Sequence, residues 1–154
     1  MKIFKIIIYE LARVYWKIFK PKTLGARLLL INGNKVLLVN HTYQHRYFLP
    51  GGGVKYGEDF KEALQRELVE ELGLKVENLE LFGTYQSKIE GKRDTIVIFL
   101  SRQKIDLSQL SFKDNEVEEV IMADMDDLPK NTAPGTRKRI EEYRSKNFPT
   151  TGFW

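Results

Sequence analysis

The chain has 154 residues, 42% hydrophobic and 30% charged, with a formal net charge of +4. That is enough for one globular domain around one continuous core and leaves no room for a second full domain. Cysteine is absent, which excludes disulfides, thiolate nucleophiles and sulfur-ligated zinc. His41 and His45 are the only histidines and have no third nitrogen ligand, so a bound metal must be held by carboxylate oxygens. Such donors select Mg²⁺, with Mn²⁺ as a substitute.

The spacing predicts an amphipathic helix over Lys2 to Lys20. At about 100° per residue, Ile3, Phe4, Ile7, Ile8, Leu11, Val14, Tyr15, Ile18 and Phe19 share one broad apolar face, with Lys2, Lys5, Arg13, Lys17 and Lys20 opposite. Ile6, Tyr9 and Trp16 intrude on the polar side, giving more apolar surface than one packing face needs. Pro21 stops the helix. Glu10, Arg13 and Lys17 keep any apolar run well short of the ~20 residues of a membrane span. The short apolar core, with no small-residue cleavage site after it, does not read as a signal peptide. Three readings are open for this helix: packing on its own domain, a homodimer contact, and peripheral contact of a cytoplasmic protein with the inner face of the membrane. Most of the basic excess lies here and near Arg137, Lys138 and Arg139. It suits an anionic substrate, an anionic lipid surface or RNA, but no RNA-binding motif accompanies it, so no specific nucleic-acid partner is expected.

Leu24 to Ile31 and Lys35 to Val39 are short apolar runs joined by Asn32-Gly33-Asn34, a hairpin signal. Tyr47 to Leu49 is a brief extended piece that runs through Pro50 into a glycine loop, Gly51-Gly52-Gly53. Asp59 to Leu72 is the clearest helix, closed by Gly73. Leu79 to Ser87, Thr95 to Ser101 and Glu116 to Met122 read as strands, and Thr136 to Ser145 as a final helix. Strands on both sides of a central helix imply an α/β fold with a mixed sheet between helices.

On the central helix Phe60, Leu64, Leu68 and Leu72 recur every four residues as a packing stripe. Glu67, Glu70 and Glu71 crowd beside it at i, i+3 and i+4. Like charges so placed repel, and a hard divalent cation removes that cost; the alternative is an ordinary Glu-rich solvated face with Arg66 as its partner. A glycine-rich segment leading straight into this helix favours the metal reading, since it brings backbone groups close to metal and phosphate.

The stretch Gly52 to Leu74 resembles the Nudix box, G-x5-E-x7-R-E-U-x-E-E-x-G-U with U aliphatic. Gly52, Glu58, Arg66, Glu67, Leu68, Glu70, Glu71, Gly73 and Leu74 fill its nine specified positions. The flanks are similar to the family over about Thr23 to Pro129. The resemblance implies a Nudix-type α/β/α sandwich over residues 22–154, preceded by the extra amphipathic helix of residues 1–21. It implies Mg²⁺-dependent hydrolysis of a diphosphate linkage in a small phosphorylated substrate, a nucleoside diphosphate derivative. Glu67, Glu70 and Glu71 are then the expected metal ligands, Glu67 and Glu70 also serving catalysis, with the Gly52 carbonyl as an additional donor. Glu58 and Arg66 form a supporting ion pair. In family members a further Glu often lies in a later loop or strand start, which makes Glu116 the first choice of general base and Glu119 the second.

Substrate contacts are expected from Arg46, Tyr47, Gly52 and Gly53, with Tyr43, His45 and Phe48 nearby. Signatures associated with NADH diphosphatases, coenzyme A hydrolases, RNA pyrophosphohydrolases and ADP-ribose hydrolases are not found. Nucleoside triphosphates and nucleotide sugars remain. The alternatives are a membrane-associated hydrolase of a lipid or prenyl diphosphate and a non-catalytic nucleotide sensor.

Overall fold

The structure is a computed structural model that describes residues 7–11, 14–15, 22–87, 93–111 and 116–154. Among the described residues eight strands form one mixed sheet: β1 (Lys22–Asn32), β2 (Lys35–His41), β3 (Tyr47–Phe48), β4 (Gly51–Gly53), β5 (Glu80–Ser87), β6 (Arg93–Ser101), β7 (Val117–Asp124) and β8 (Thr150–Phe153). The main path runs β3-β2-β1-β6-β5-β8, with β4 added to β1 and β7 added to β2. The β1–β2 hairpin closes at Asn32↔Lys35, and Gly33 supplies its positive φ of 60°. β1 and β6 pair in parallel from Lys22↔Arg93 to Leu30↔Ser101.

The period of two along β1 sorts the core into two layers. Ala26, Leu28 and Leu30 pack with Leu37, Val39, Val97 and Phe99 against Leu64, Leu68 and Leu72 of α1 (Phe60–Leu72). Leu29 and Ile31 pack with Val36, Leu38, Ile98 and Leu100 against Phe82, Tyr85 and Ile140, the last on α2 (Pro134–Arg144). The sheet therefore lies between helices, as the sequence implies. Complete burial of each of the three α1 leucines contributes about 1.5–3 kcal/mol.

Two elements differ from the sequence reading. Gly51–Gly53 is not a loop but a strand, because its backbone pairs with β1 at Gly25↔Gly53, Ala26↔Gly52 and Arg27↔Gly51. The strand β8 has no counterpart in the sequence reading: it is four residues long, includes Gly152, and pairs in parallel with β5 at Gly83↔Thr150 to Gln86↔Phe153.

Of the front segment, residues 7–11 and 14–15 are helical, and the rest of the expected helix lies outside the described residues. Ile7, Ile8, Leu11, Val14 and Tyr15 are all more than half exposed. Tyr9 is partly buried. Among the described residues no helix is long and apolar enough to cross a membrane.

Candidate active site

The helix α1 is fixed at both ends by local chemistry. Asp59 accepts from the Lys61 and Glu62 amides at 2.7 and 2.8 Å, and Glu62 accepts from the Asp59 amide at 2.9 Å, a capping box. Gly73 ends it in the left-handed conformation, its N–H bonded to Leu68 and Val69 carbonyls. The orientation of the Glu face is thereby set.

β4 lies directly against that face. A Cβ on Gly52 would sit 2.3 Å from Glu67 Cδ, and a Cβ on Gly51 2.3 Å from the Ala26 carbonyl, where φ is already +125°. Only glycine lets the strand approach both β1 and the Glu67 carboxylate so closely. The Gly51 N–H donates to Glu71.

Arg66 organises the cluster. Its Nε and Nη2 donate to Glu58 Oε1 and Oε2 at 2.5 and 2.9 Å, Nη1 to Glu67 Oε1 at 2.6 Å and Glu70 Oε2 at 3.2 Å, and Nη2 to the Gly53 carbonyl at 2.9 Å. The guanidinium hydrogen bonds hold the Glu58 carboxyl down at about 2. Glu70 is exposed and also faces Lys55 at 3.9 Å.

A cleft of about 840 Å³ opens beside β4, within the range of small-ligand sites. Gly51, Gly52, Gly53, Glu67, Glu71 and Glu116 line it, together with Arg27 and Arg46. Glu71 is pushed up to about 7, chiefly by burial; Arg27 opposes the shift, the nearby Glu67 and Glu116 carboxylates add to it, and the Gly51 N–H opposes it slightly. Its Oε2 is buried without a hydrogen-bond partner.

Among the described residues no three acidic or imidazole side chains converge into a finished metal cage. The donor set nevertheless suits a hard divalent cation. Its members are carboxylate oxygens, burial with the nearby Glu67 and Glu116 carboxylates raises Glu71, and one buried oxygen lacks a partner. Glu67 and Glu71 line the cleft, whereas Glu70 is not among the lining residues.

Aromatic side chains form another part of the cleft. The rings of His41 and Tyr43 stack with centroids 5.3 Å apart, and those of His41 and Phe48 lie 6.4 Å apart. Tyr9, from the front segment, meets Tyr43 with ring centroids 5.4 Å apart, and its hydroxyl oxygen accepts from Gln44 Nε2. Burial, reinforced by Arg27, lowers His41 to about 4, so its imidazole is neutral. Trp154 lines the cleft with Ala133, Pro134 and Gly135.

The remaining candidates are placed differently. Glu116 lines the cleft, but Glu119 accepts from the Tyr47 hydroxyl, and neither Glu119 nor Tyr47 is among the lining residues. The register explains why. Asn40 pairs with Tyr47 on one side and Glu119 on the other, so the three share a sheet face, and His41 points to the opposite one. Arg27, His41, Tyr9 and Trp154 were not singled out from sequence as site residues. For Arg27 a signal existed: it is the one charge inside the apolar run Leu24 to Ile31.

The NUDIX domain family model matches residues 21–143. The chain belongs to the Nudix family. An ADP-ribose pyrophosphatase from Methanocaldococcus jannaschii is 33% identical over 118 residues, covering 74% of this chain and 69% of that protein. An NAD-capped RNA hydrolase NudC from Haemophilus influenzae is 40% identical over 60 residues, 34% of this Nudix chain but only 22% of the relative's length. A MutT protein from Methanosarcina mazei shares the fold, with a TM-score of 0.73 at 20% identity over 85% of this chain and 99% of that one.

Proposed function

We propose that this Nudix chain is a Mg²⁺-dependent pyrophosphohydrolase of a nucleoside diphosphate derivative, with nucleotide sugars ahead of nucleoside triphosphates. The observation that carries the reading is the gathering of Glu67, Glu71 and Glu116 around a cleft beside the glycine strand, with an unpartnered buried oxygen on Glu71. The ADP-ribose pyrophosphatase relative supports placing nucleotide sugars first, although the proline expected of ADP-ribose hydrolases is missing between Ser87 and Gly91.

In this reading Glu67, Glu70 and Glu71 would hold Mg²⁺, with the Gly52 carbonyl as a further donor. A divalent cation held there would supply charge neutralisation at the phosphate oxygens and activation of the attacking water. Arg27 and Arg46 orient the diphosphate by charge, and His41, Tyr43 and Phe48 flank the nucleoside. Glu116 accepts the proton as water oxygen bonds to phosphorus. The anhydride P–O bond breaks, and its electron pair leaves with the departing phosphate. Glu58 and Arg66 position the helix and do not touch substrate.

The test is a phosphate-release screen in Mg²⁺, with and without added phosphatase, over nucleotide sugars, nucleoside triphosphates, dinucleotides and prenyl diphosphates. Turnover of a nucleotide sugar that disappears in Glu71→Gln and Glu70→Gln, both melting near wild type, supports the proposal. Failure of the well-folded wild type on every nucleotide would overturn it.

A further inference from the structure

We infer that the outer face of the front helix is a docking surface for an anionic lipid bilayer, which it enters peripherally without crossing. Within the helical residues 7–11, Tyr9 points inward to Tyr43 and Gln44. At about 100° per residue, Ile7, Ile8 and Leu11 fall on an arc centred roughly opposite Tyr9. Those three side chains are 51%, 51% and 65% exposed, and the next described helical residues, Val14 and Tyr15, are 56% and 52% exposed. Five large apolar side chains within nine residues are therefore left in water by a domain whose own two core layers are already closed. Large apolar side chains left exposed together in this way mark an interaction site.

Charge identifies the occupant. Lys2, Lys5, Arg13, Lys17, Lys20 and Lys22, against Glu10 alone, give the first 22 residues a net charge of +5, more than the +4 of the whole chain. A second copy docking through the same stretch would bring +5 against +5. An anionic bilayer receives the apolar side chains and attracts the net positive charge of this stretch of sequence, the combination that holds amphipathic helices in a membrane interface. Because Tyr9 also lines the cleft, the docked bilayer lies about one helix diameter, ~10 Å, from the rim of that cleft.

The experiment is co-sedimentation of the full chain with phosphatidylcholine vesicles and with vesicles that also contain phosphatidylglycerol. The intact protein pellets with the anionic vesicles, and raising the salt concentration weakens that binding. An Ile8→Asp/Leu11→Asp variant, altered only at exposed positions and melting like wild type, binds at least about 10-fold more weakly. Equal supernatant recovery with and without anionic vesicles overturns the inference, as does wild-type binding by the double variant. A dimer in light scattering that the same variant dissolves, without vesicle binding, assigns the face to a second copy instead. The readout is independent of hydrolysis, so it leaves the proposed activity untouched either way.

Discussion

Arg66 grips Glu58 in a two-point fork, Nε to Oε1 at 2.5 Å and Nη2 to Oε2 at 2.9 Å, and the same guanidinium reaches across to the Gly53 carbonyl. One side chain thus ties the start of α1, the glycine strand and the acidic face into one unit. Lysine keeps the charge but loses the fork. Arg66→Lys and Glu58→Gln are therefore expected to lower kcat about 10- to 100-fold, the usual cost of disturbing groups behind metal ligands. KM should change much less. Steady-state kinetics across a Mg²⁺ titration checks this, and unchanged kcat in both variants would remove Arg66 from its positioning role.

Gly51 and Gly52 are neighbours with different reasons to be glycine, and alanine at each should fail differently. In Gly52→Ala the new Cβ meets the end of a side chain, the Glu67 carboxyl at 2.3 Å. Glu67 moves aside, and about 100-fold of activity is lost, a cost typical of a displacement near 1 Å at a reacting centre. In Gly51→Ala the Cβ meets the Ala26 backbone carbonyl at 2.3 Å and the backbone sits at φ +125°. Neither relaxes easily, so stability falls by several kcal/mol, on the order of strain and overpacking combined. Thermal melting paired with activity separates the two. Equal melting temperatures for both variants would contradict the distinction.

His41 should make the protein less stable in mild acid. Its pKa is lowered in the fold from 6.5 to about 4, so below pH 6.5 the unfolded chain binds a proton that the native chain refuses. Stability is lost as pH falls from 6.5 towards 4 and levels off below that. The loss attributable to this one group is on the order of 3 kcal/mol. In a His45→Gln background a single imidazole remains, and its proton NMR titration reads His41 directly. A midpoint near 6.5 would refute the burial argument.

The box helix was legible in the sequence because its determinants are local. The Leu64, Leu68, Leu72 stripe, the Gly73 stop and the Glu67, Glu70, Glu71 spacing all lie within one continuous stretch, and the structure places them on one helix. The Asn32-Gly33-Asn34 hairpin was legible for the same reason. What was not legible depends on pairing between distant segments. Gly51–Gly53 becomes a strand only because β1 offers it an edge. Glu119 stands second to Glu116 as a candidate base in the sequence, and only the β2–β7 register sets it on the face opposite His41. Tyr9 and Trp154 come to one cleft from opposite ends of the sequence, and no spacing rule spans that separation.

Trp154 offers the sharpest test of how the cleft selects its substrate. Its indole packs over Gly135, where any Cβ would come within 2.3 Å of Nε1, and edge-on to Tyr85 with centroids 6.2 Å apart. Behind it the fully buried Arg139 guanidinium lies 3.8 Å from the Tyr85 ring centroid and bonds Glu142 at 2.8 Å. The wall is thus a preset stack rather than a loose side chain. Trp154→Ala should raise KM about 10-fold, by loss of stacking and contact area, while kcat stays within about 2-fold. Gly135→Ala should act in the same direction by pushing the indole out of register. A fall in kcat at constant KM would instead place Trp154 beside the reacting phosphorus, and the substrate would then have to bind with its nucleoside pointed away from His41 and Tyr43.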